Sequence, residues 1–173
     1  MIDLTQRYIF GPKSILKNVY QVPPGTSLKF SENGRPVSAK YWGLENFSPS
    51  DMSSFSRGQF NERFREEVSL AVKGSLVSDV PVGVMLSGGI DSAAIVALAA
   101  EVKSNLRTFS IGFTNDSKCE LNHARTVANH FSTTHQELLV SPADLAIAPK
   151  VIGLNDEPVA GPSSLAYYIM MEK

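Results

Sequence analysis

Six residues, Ser87-Gly88-Gly89-Ile90-Asp91-Ser92, constrain this chain more than any other stretch. They follow the apolar run Val82-Gly83-Val84-Met85-Leu86 and precede Ala93-Ala94-Ile95-Val96-Ala97-Leu98. That order predicts a buried strand, a tight Gly-Gly turn, and a helix opening with hydroxyls and a carboxylate. Backbone N–H groups at a helix start, approached closely because glycine has no side chain, form an anion site. Ser87 and Ser92 add hydroxyl donors for phosphate oxygens. Asp91 would be repelled by a bare phosphate, so a Mg²⁺ between the two is the natural reading. No Lys follows the glycines, which excludes a Walker-type phosphate loop. A bare SGG would read as a strand–helix turn with a capping Ser. Strand, SGGIDS run and small-residue helix together favour the nucleotide reading.

The pattern on either side sets the architecture. Val80 to Leu86 is a nearly continuous apolar run, as expected of a strand covered on both faces of a parallel sheet. Ile90, Ala93, Ala94, Ala97 and Leu98 are small or apolar at helical spacing. Thr108 to Phe113 predicts a second strand, and His135 to Val140 a third. Leu121, Ala124, Val127, Ala128 and Phe131 stripe the helix between them. Ser141-Pro142 starts another helix, and a last one begins near Ser163. Strands alternating with helices imply right-handed βαβ units, with the nucleotide at the loop after the first strand.

Upstream, Ser56 and Gln59 have capping-box spacing, and Phe60, Phe64, Val68, Ala71, Val72 and Leu76 form one apolar stripe of a helix. Before it, Asn46 to Ser56 is rich in Ser, Pro and Asp and reads as a linker. Residues 1–42 read as short strands and turns, with Tyr8-Ile9-Phe10, Val19 to Val22 and Ser27 to Phe30 as strands. Glu32-Asn33-Gly34-Arg35 is a hairpin turn. The expected division is 1–44, a linker over 45–56, and 57–173.

Composition narrows the partners. A net charge of −1 gives no electrostatic case for nucleic acid or an anionic membrane. No apolar run approaches the roughly 20 residues needed to span a bilayer, and Met1 to Gln6, without a basic segment leading into an apolar one, is not expected to be a secretory signal. Cys119, the only cysteine, excludes an internal disulfide and a thiolate zinc cluster. A cytoplasmic location is the default expectation. His123 and His130 lie seven apart with no third ligand at metal spacing, and read as surface residues. His135 reads as structural.

The stretch from Ser78 to Ser92 resembles the synthetase domain of glutamine-hydrolysing asparagine synthetases. Thr108 to Phe113, the run from Ala124 to Glu137, and Asp156-Glu157-Pro158-Val159-Ala160-Gly161-Pro162-Ser163-Ser164 resemble further segments of that family, in order. Val22-Pro23-Pro24-Gly25 and Tyr41-Trp42-Gly43-Leu44 resemble the closing strands of its glutaminase domain. The fold implied is α/β: an incomplete parallel-sheet domain of the adenine-nucleotide alpha-hydrolase (ATP pyrophosphatase) type. It would follow the β-rich tail of an N-terminal nucleophile glutaminase domain.

That resemblance implies roles and ligands. Ser87, Gly88, Gly89 and Ser92 would hold the phosphates that leave as pyrophosphate. Asp91 would be the catalytic metal ligand, binding Mg²⁺. Met85 and Ile111, at the carboxyl ends of neighbouring strands, would contact the adenine. Asp156 and Glu157 would lie on the aspartate side of the pocket. The implied reaction activates aspartate on ATP as β-aspartyl-AMP, and ammonia drawn from glutamine then displaces AMP. A homodimer through the parent enzyme is also implied. Gly161 departs from the family, standing where many relatives carry Asp. The family's glutaminase nucleophile, a Cys exposed when Met is removed, has no counterpart at Met1-Ile2. An internal piece of a longer enzyme, inactive alone, is the expectation. The alternatives are another adenylating amidotransferase, such as a β-lactam synthetase, or an inactive nucleotide-binding module.

Overall fold

A computed structural model describes residues 8–46, 54–114, 120–155 and 161–172. The chain divides into two compact units, Met1–Phe55 with Ala148–Ser164, and Ser56–Ile147 with Leu165–Lys173.

In the first unit, β1 (Thr26–Phe30) pairs antiparallel with β2 (Pro36–Lys40). The turn between them is set by Gly34 at φ 75°, which only glycine adopts freely. Asn33 supports it by accepting the Arg35 N–H at 3.2 Å. The base of the hairpin is fixed by Gly25. Its carbonyl accepts the N–H groups of both Tyr41 and Trp42. A Cβ there would fall 2.2 Å from the Trp42 carbonyl oxygen. Helix α4 (Ala148–Leu154) also belongs to this unit. The expected strands at Tyr8–Phe10 and Val19–Val22 do not form. The second contributes a single bridge, Lys13 to Tyr20. Pro12, Pro23 and Pro24 lack the N–H groups a longer ladder needs.

The second unit is α/β with a three-stranded parallel sheet in the order β3 (Gly83–Met85), β4 (Arg107–Phe113), β5 (Thr134–Val140). Helices α1 (Arg57–Ser75), α2 (Ile90–Val102) and α3 (Leu121–His130) connect and flank it, and α5 (Pro162–Glu172) runs into it. The start of α1 is a capping box: the Ser56 N–H donates to Gln59 Oε1 at 2.9 Å, and the Gln59 N–H to Ser56 Oγ at 3.4 Å. The core gathers Leu86, Val96, Ala99, Leu106, Ala124 and Ala128. Burying each larger aliphatic contributes about 1.5–3 kcal/mol. The small residues let α2 and α3 approach the sheet.

Three expectations are corrected here. The first strand spans only Gly83–Met85, and Val80 is 68% exposed. Pro81 has no N–H to give a ladder, and the strand's far edge has no partner among the described residues. Its own residues are exposed or only half-buried, so the strand is not covered on both faces. Second, α2 buries Val96 and Ala99, while Ile90 is 84% exposed. An almost uniformly apolar helix carries no polar face to fix its rotation, so spacing alone chose the wrong phase. Third, the apolar stripe read on α1 packs on the core only in part, through Val72 and Leu76. With Val82–Met85, Ile95 and Ala99 it lines an apolar groove of about 730 Å³. The segment after Ser141 begins as a 3-10 helix, Pro142–Ile147. Asp144 Oδ2 accepts the Ser141 N–H and hydroxyl, each at 2.7 Å.

Candidate functional site

The loop Ser87–Gly89 leaves the carboxyl end of β3 and feeds directly into α2. It is fixed on the sheet side by Leu86, whose N–H donates to the Phe109 carbonyl at 2.7 Å. The Leu86 carbonyl accepts the buried Ser110 hydroxyl. On the helix side, Ser92 Oγ accepts the Ser87 N–H at 3.1 Å. It also lies 2.8 Å from Ser87 Oγ, 3.1 Å from the Ser87 carbonyl and 3.0 Å from the Gly89 carbonyl. A hydroxyl has one proton for three acceptors, so Ser92 acts first as the internal brace of the turn. Ser87 is exposed, and its Oγ accepts the Gly89 N–H at 3.3 Å.

Neither Gly88 nor Gly89 adopts a positive φ; Gly89, the N-cap of α2, sits at φ −83°, ψ 157°. Glycine is needed at Gly88 for space instead. A Cβ there would lie 2.6 Å from Glu120 Cβ, 2.9 Å from the Glu120 carbonyl oxygen and 3.1 Å from His123 Cβ. The Gly88 N–H donates to Glu120 Oε2 at 3.1 Å. A carboxylate oxygen thus occupies the position where this loop offers a backbone donor to an anion. Asp91 is exposed in the first turn of α2. Met85 ends β3, 40% exposed, and Ile111 is half-buried in the carboxyl half of β4. The structure brings Ser87, Gly88 and Gly89 of the loop together with Asp91 and Ser92 of the first turn of α2, with Met85 leading into the loop. Asp156, Glu157 and Cys119 lie outside the described residues.

Residue-by-residue reading missed Glu120. An acidic residue before a helical stripe reads as a cap, and the contact to Gly88 spans 32 positions. No such cap bond exists: the Glu120 side chain donates nothing to and accepts nothing from its own helix start. His135, half-buried at the start of β5, makes one side-chain hydrogen bond, and its buried Nε2 has no hydrogen-bond partner. Its Nδ1 lies 2.9 Å from Thr108 Oγ1, itself 2.7 Å from Thr133 Oγ1. Beside it Arg125 grips Glu137 with two N–H donors, Nε to Oε1 at 2.9 Å and Nη2 to Oε2 at 2.8 Å. Those bonds hold the Glu137 carboxyl below its ordinary pKa, against a smaller upward push from burial. No group of three or more His, Cys, Asp or Glu forms a metal cluster among the described residues. No described helix is long and apolar enough to cross a membrane.

A loop between a parallel strand and a helix, at the carboxyl end of a three-stranded parallel sheet, places the second unit in the α/β class of domains. The asparagine synthase family model matches residues 63–173, and the chain belongs to that family. Similar proteins include asparagine synthetase [glutamine-hydrolyzing] 1 of Bacillus subtilis (strain 168), 28% identical over 96% of this chain and 26% of its own length. A putative asparagine synthetase [glutamine-hydrolyzing] 2 of Methanocaldococcus jannaschii is 31% identical over 95% of this chain and 32% of its own. Amidase chyE of Penicillium rubens is 30% identical over 87% and 26%. The chain thus spans about a quarter to a third of these relatives' lengths. Among solved structures, an NH3-dependent NAD synthetase from Campylobacter jejuni is 20% identical over 64% of this chain and 48% of its own, with a TM-score of 0.42.

Proposed function

We propose that this chain carries the nucleotide-binding part of an ATP-dependent amide-forming enzyme that activates aspartate as β-aspartyl-AMP. The observation that supports this most directly is the Gly88 N–H already donating to a carboxylate oxygen at 3.1 Å, in a loop opening α2. A donor that holds one anion there can hold a phosphate oxygen. Ser87, Gly88 and Gly89 would orient the phosphates, with Ser92 keeping the turn in shape. Met85 and Ile111 would flank the adenine. Asp91 would hold Mg²⁺, which when bound offsets charge gathering on the departing pyrophosphate. The aspartate carboxylate oxygen then bonds to the α-phosphorus as the bond to pyrophosphate breaks. Ammonia, drawn from glutamine elsewhere in a longer enzyme, bonds to the acyl carbon, AMP leaves, and a proton is lost. Asp156 and Glu157 would face the amino-acid substrate. Catalysis on this reading is positioning and electrostatics.

Residues 1–44 would then be the end of a glutaminase domain, 45–56 a linker and 57–173 the start of the synthetase domain, in a cytoplasmic enzyme that dimerises. The test is pyrophosphate release by a full-length polypeptide carrying this sequence, supplied with Mg-ATP, ammonia and a series of carboxylic acids. Aspartate-dependent release, lost in Asp91→Asn with unchanged circular dichroism, is expected. Near-normal turnover in that variant would overturn the role of Asp91. The similarity to a protein named an amidase makes the acid series worth running. Release dependent on an acid other than aspartate would favour the related adenylating amidotransferase reading.

A further inference from the structure

Glu120 places a carboxylate on the phosphate loop although nothing in its own helix requires it there. It is the N-cap of α3, a position from which Asp, Asn, Ser or Thr side chains accept N–H groups of the following turn. It makes no such bond, and reaches across to the Gly88 N–H at 3.1 Å instead. The approach is tight, since Glu120 Cβ and carbonyl oxygen both crowd the space above Gly88. A carboxylate oxygen and a phosphate oxygen cannot share one N–H at full strength, and two anions at that spacing repel.

We infer that the Glu120 carboxylate competes with the phosphates of the nucleotide for the loop, so that binding requires its displacement. Glu120 is then a positioning residue of the site, holding the Gly88 amide in its donor orientation and lowering affinity for free polyphosphate. This rests on the proposed function, because it presumes that the loop takes a phosphate chain. The consequence is selective. A ligand with further contacts to the protein, such as a whole nucleotide, can repay the displacement. Inorganic pyrophosphate has fewer contacts and is held less well, which favours release of that product.

The test is equilibrium dialysis of inorganic pyrophosphate against a full-length polypeptide carrying this sequence and its Glu120→Ala and Glu120→Gln variants, without metal. Because Glu120 caps nothing in its own helix, both variants are expected to keep the circular dichroism of the parent. Removing the carboxylate should tighten pyrophosphate binding about tenfold, the scale of one charge-assisted hydrogen bond. The Gln variant, with an acceptor but no charge, should fall between. Hydrogen exchange at the Gly88 amide should be faster in Glu120→Ala without pyrophosphate and slow again on adding it. Equal affinity in all three proteins, or weaker binding in Glu120→Ala, would overturn the competition while leaving the nucleotide reading intact. Pyrophosphate binding by none of the three would overturn the competition, while the nucleotide reading stands or falls separately on the aspartate-dependent pyrophosphate release of the parent.

Discussion

Ser92 Oγ lies 2.8 Å from Ser87 Oγ and accepts the Ser87 N–H at 3.1 Å, so the two hydroxyl residues of the loop are tied to each other. Breaking that tie leaves the Ser87 amide without its acceptor. Ser92→Ala should therefore cost about 1 kcal/mol of folding stability, the usual net worth of one such bond. Nucleotide affinity should fall as well, because the loop loses its shape. Urea unfolding of the two proteins measures the first effect. An unchanged midpoint would show that solvent serves the Ser87 amide as well as Ser92 does.

The two glycines of the loop should differ sharply. At Gly88 a Cβ would meet Glu120 Cβ and backbone at under 3 Å, and backbone cannot swing aside. Gly88→Ala should lose about 1–3 kcal/mol, the cost of overpacking. At Gly89 a Cβ meets only Ser87 Oγ, at 3.3 Å, and φ is −83°. Gly89→Ala should stay within about 0.5 kcal/mol, as reduced freedom of the unfolded chain offsets the contact. Thermal unfolding of both variants decides. Equal losses would mean that backbone conformation, not crowding, selects glycine here.

Much of this was legible in the sequence because local rules and tertiary needs agreed. The Ser56–Gln59 box formed as spaced, and the α3 stripe buried Leu121, Ala124 and Ala128. The phosphate-loop candidates fell together because a strand, a turn and a helix start fix neighbours in sequence as neighbours in space. Glu120 was invisible because its partner is a backbone amide 32 residues away, which leaves no periodicity. The rotation of α2 was likewise hidden, since an apolar helix without a polar face fits several phases. The burial of Val80 was misjudged for a different reason: apolar character predicts affinity for a cover, not that one is present.

The Arg125–Glu137 pair sets an acid limit on the α3–β5 contact. Arg125 donates twice to Glu137, and this hydrogen bonding is the main cause of the lowered Glu137 pKa. The folded state therefore holds this proton less readily than the unfolded chain, where the value is near the ordinary 4.5. Its stabilising contribution is fully present above that value and is lost as pH falls through the lower folded one. His135 Nε2, 3.6 Å from Glu137 Oε1, faces the same carboxylate. Arg125→Ala should lower the melting temperature at pH 7, with the gap from the parent closing as the pH falls below 4.5 and through the lower folded value. A gap that stays constant across the whole acid range below 4.5 would point to lost packing of the Arg125 stem rather than to charge.

The groove beside β3 should make the isolated chain self-associate. Phe64, Val68, Val72 and Leu76 of α1 face Val82, Val84 and Met85 across about 730 Å³ of largely apolar space. The adjacent strand has a partner on one edge only, among the described residues. An open edge next to an apolar trough invites pairing with another chain, and charge is the usual defence against it. Phe64 is 61% exposed, so it adds to the trough without supporting the core. Sedimentation of the parent should therefore depend on concentration, and a fluorescent apolar dye should bind it. Phe64→Lys should reduce both effects while leaving the melting temperature almost unchanged. A parent that sediments as a dye-silent monomer throughout the micromolar range would show that the trough is closed in solution.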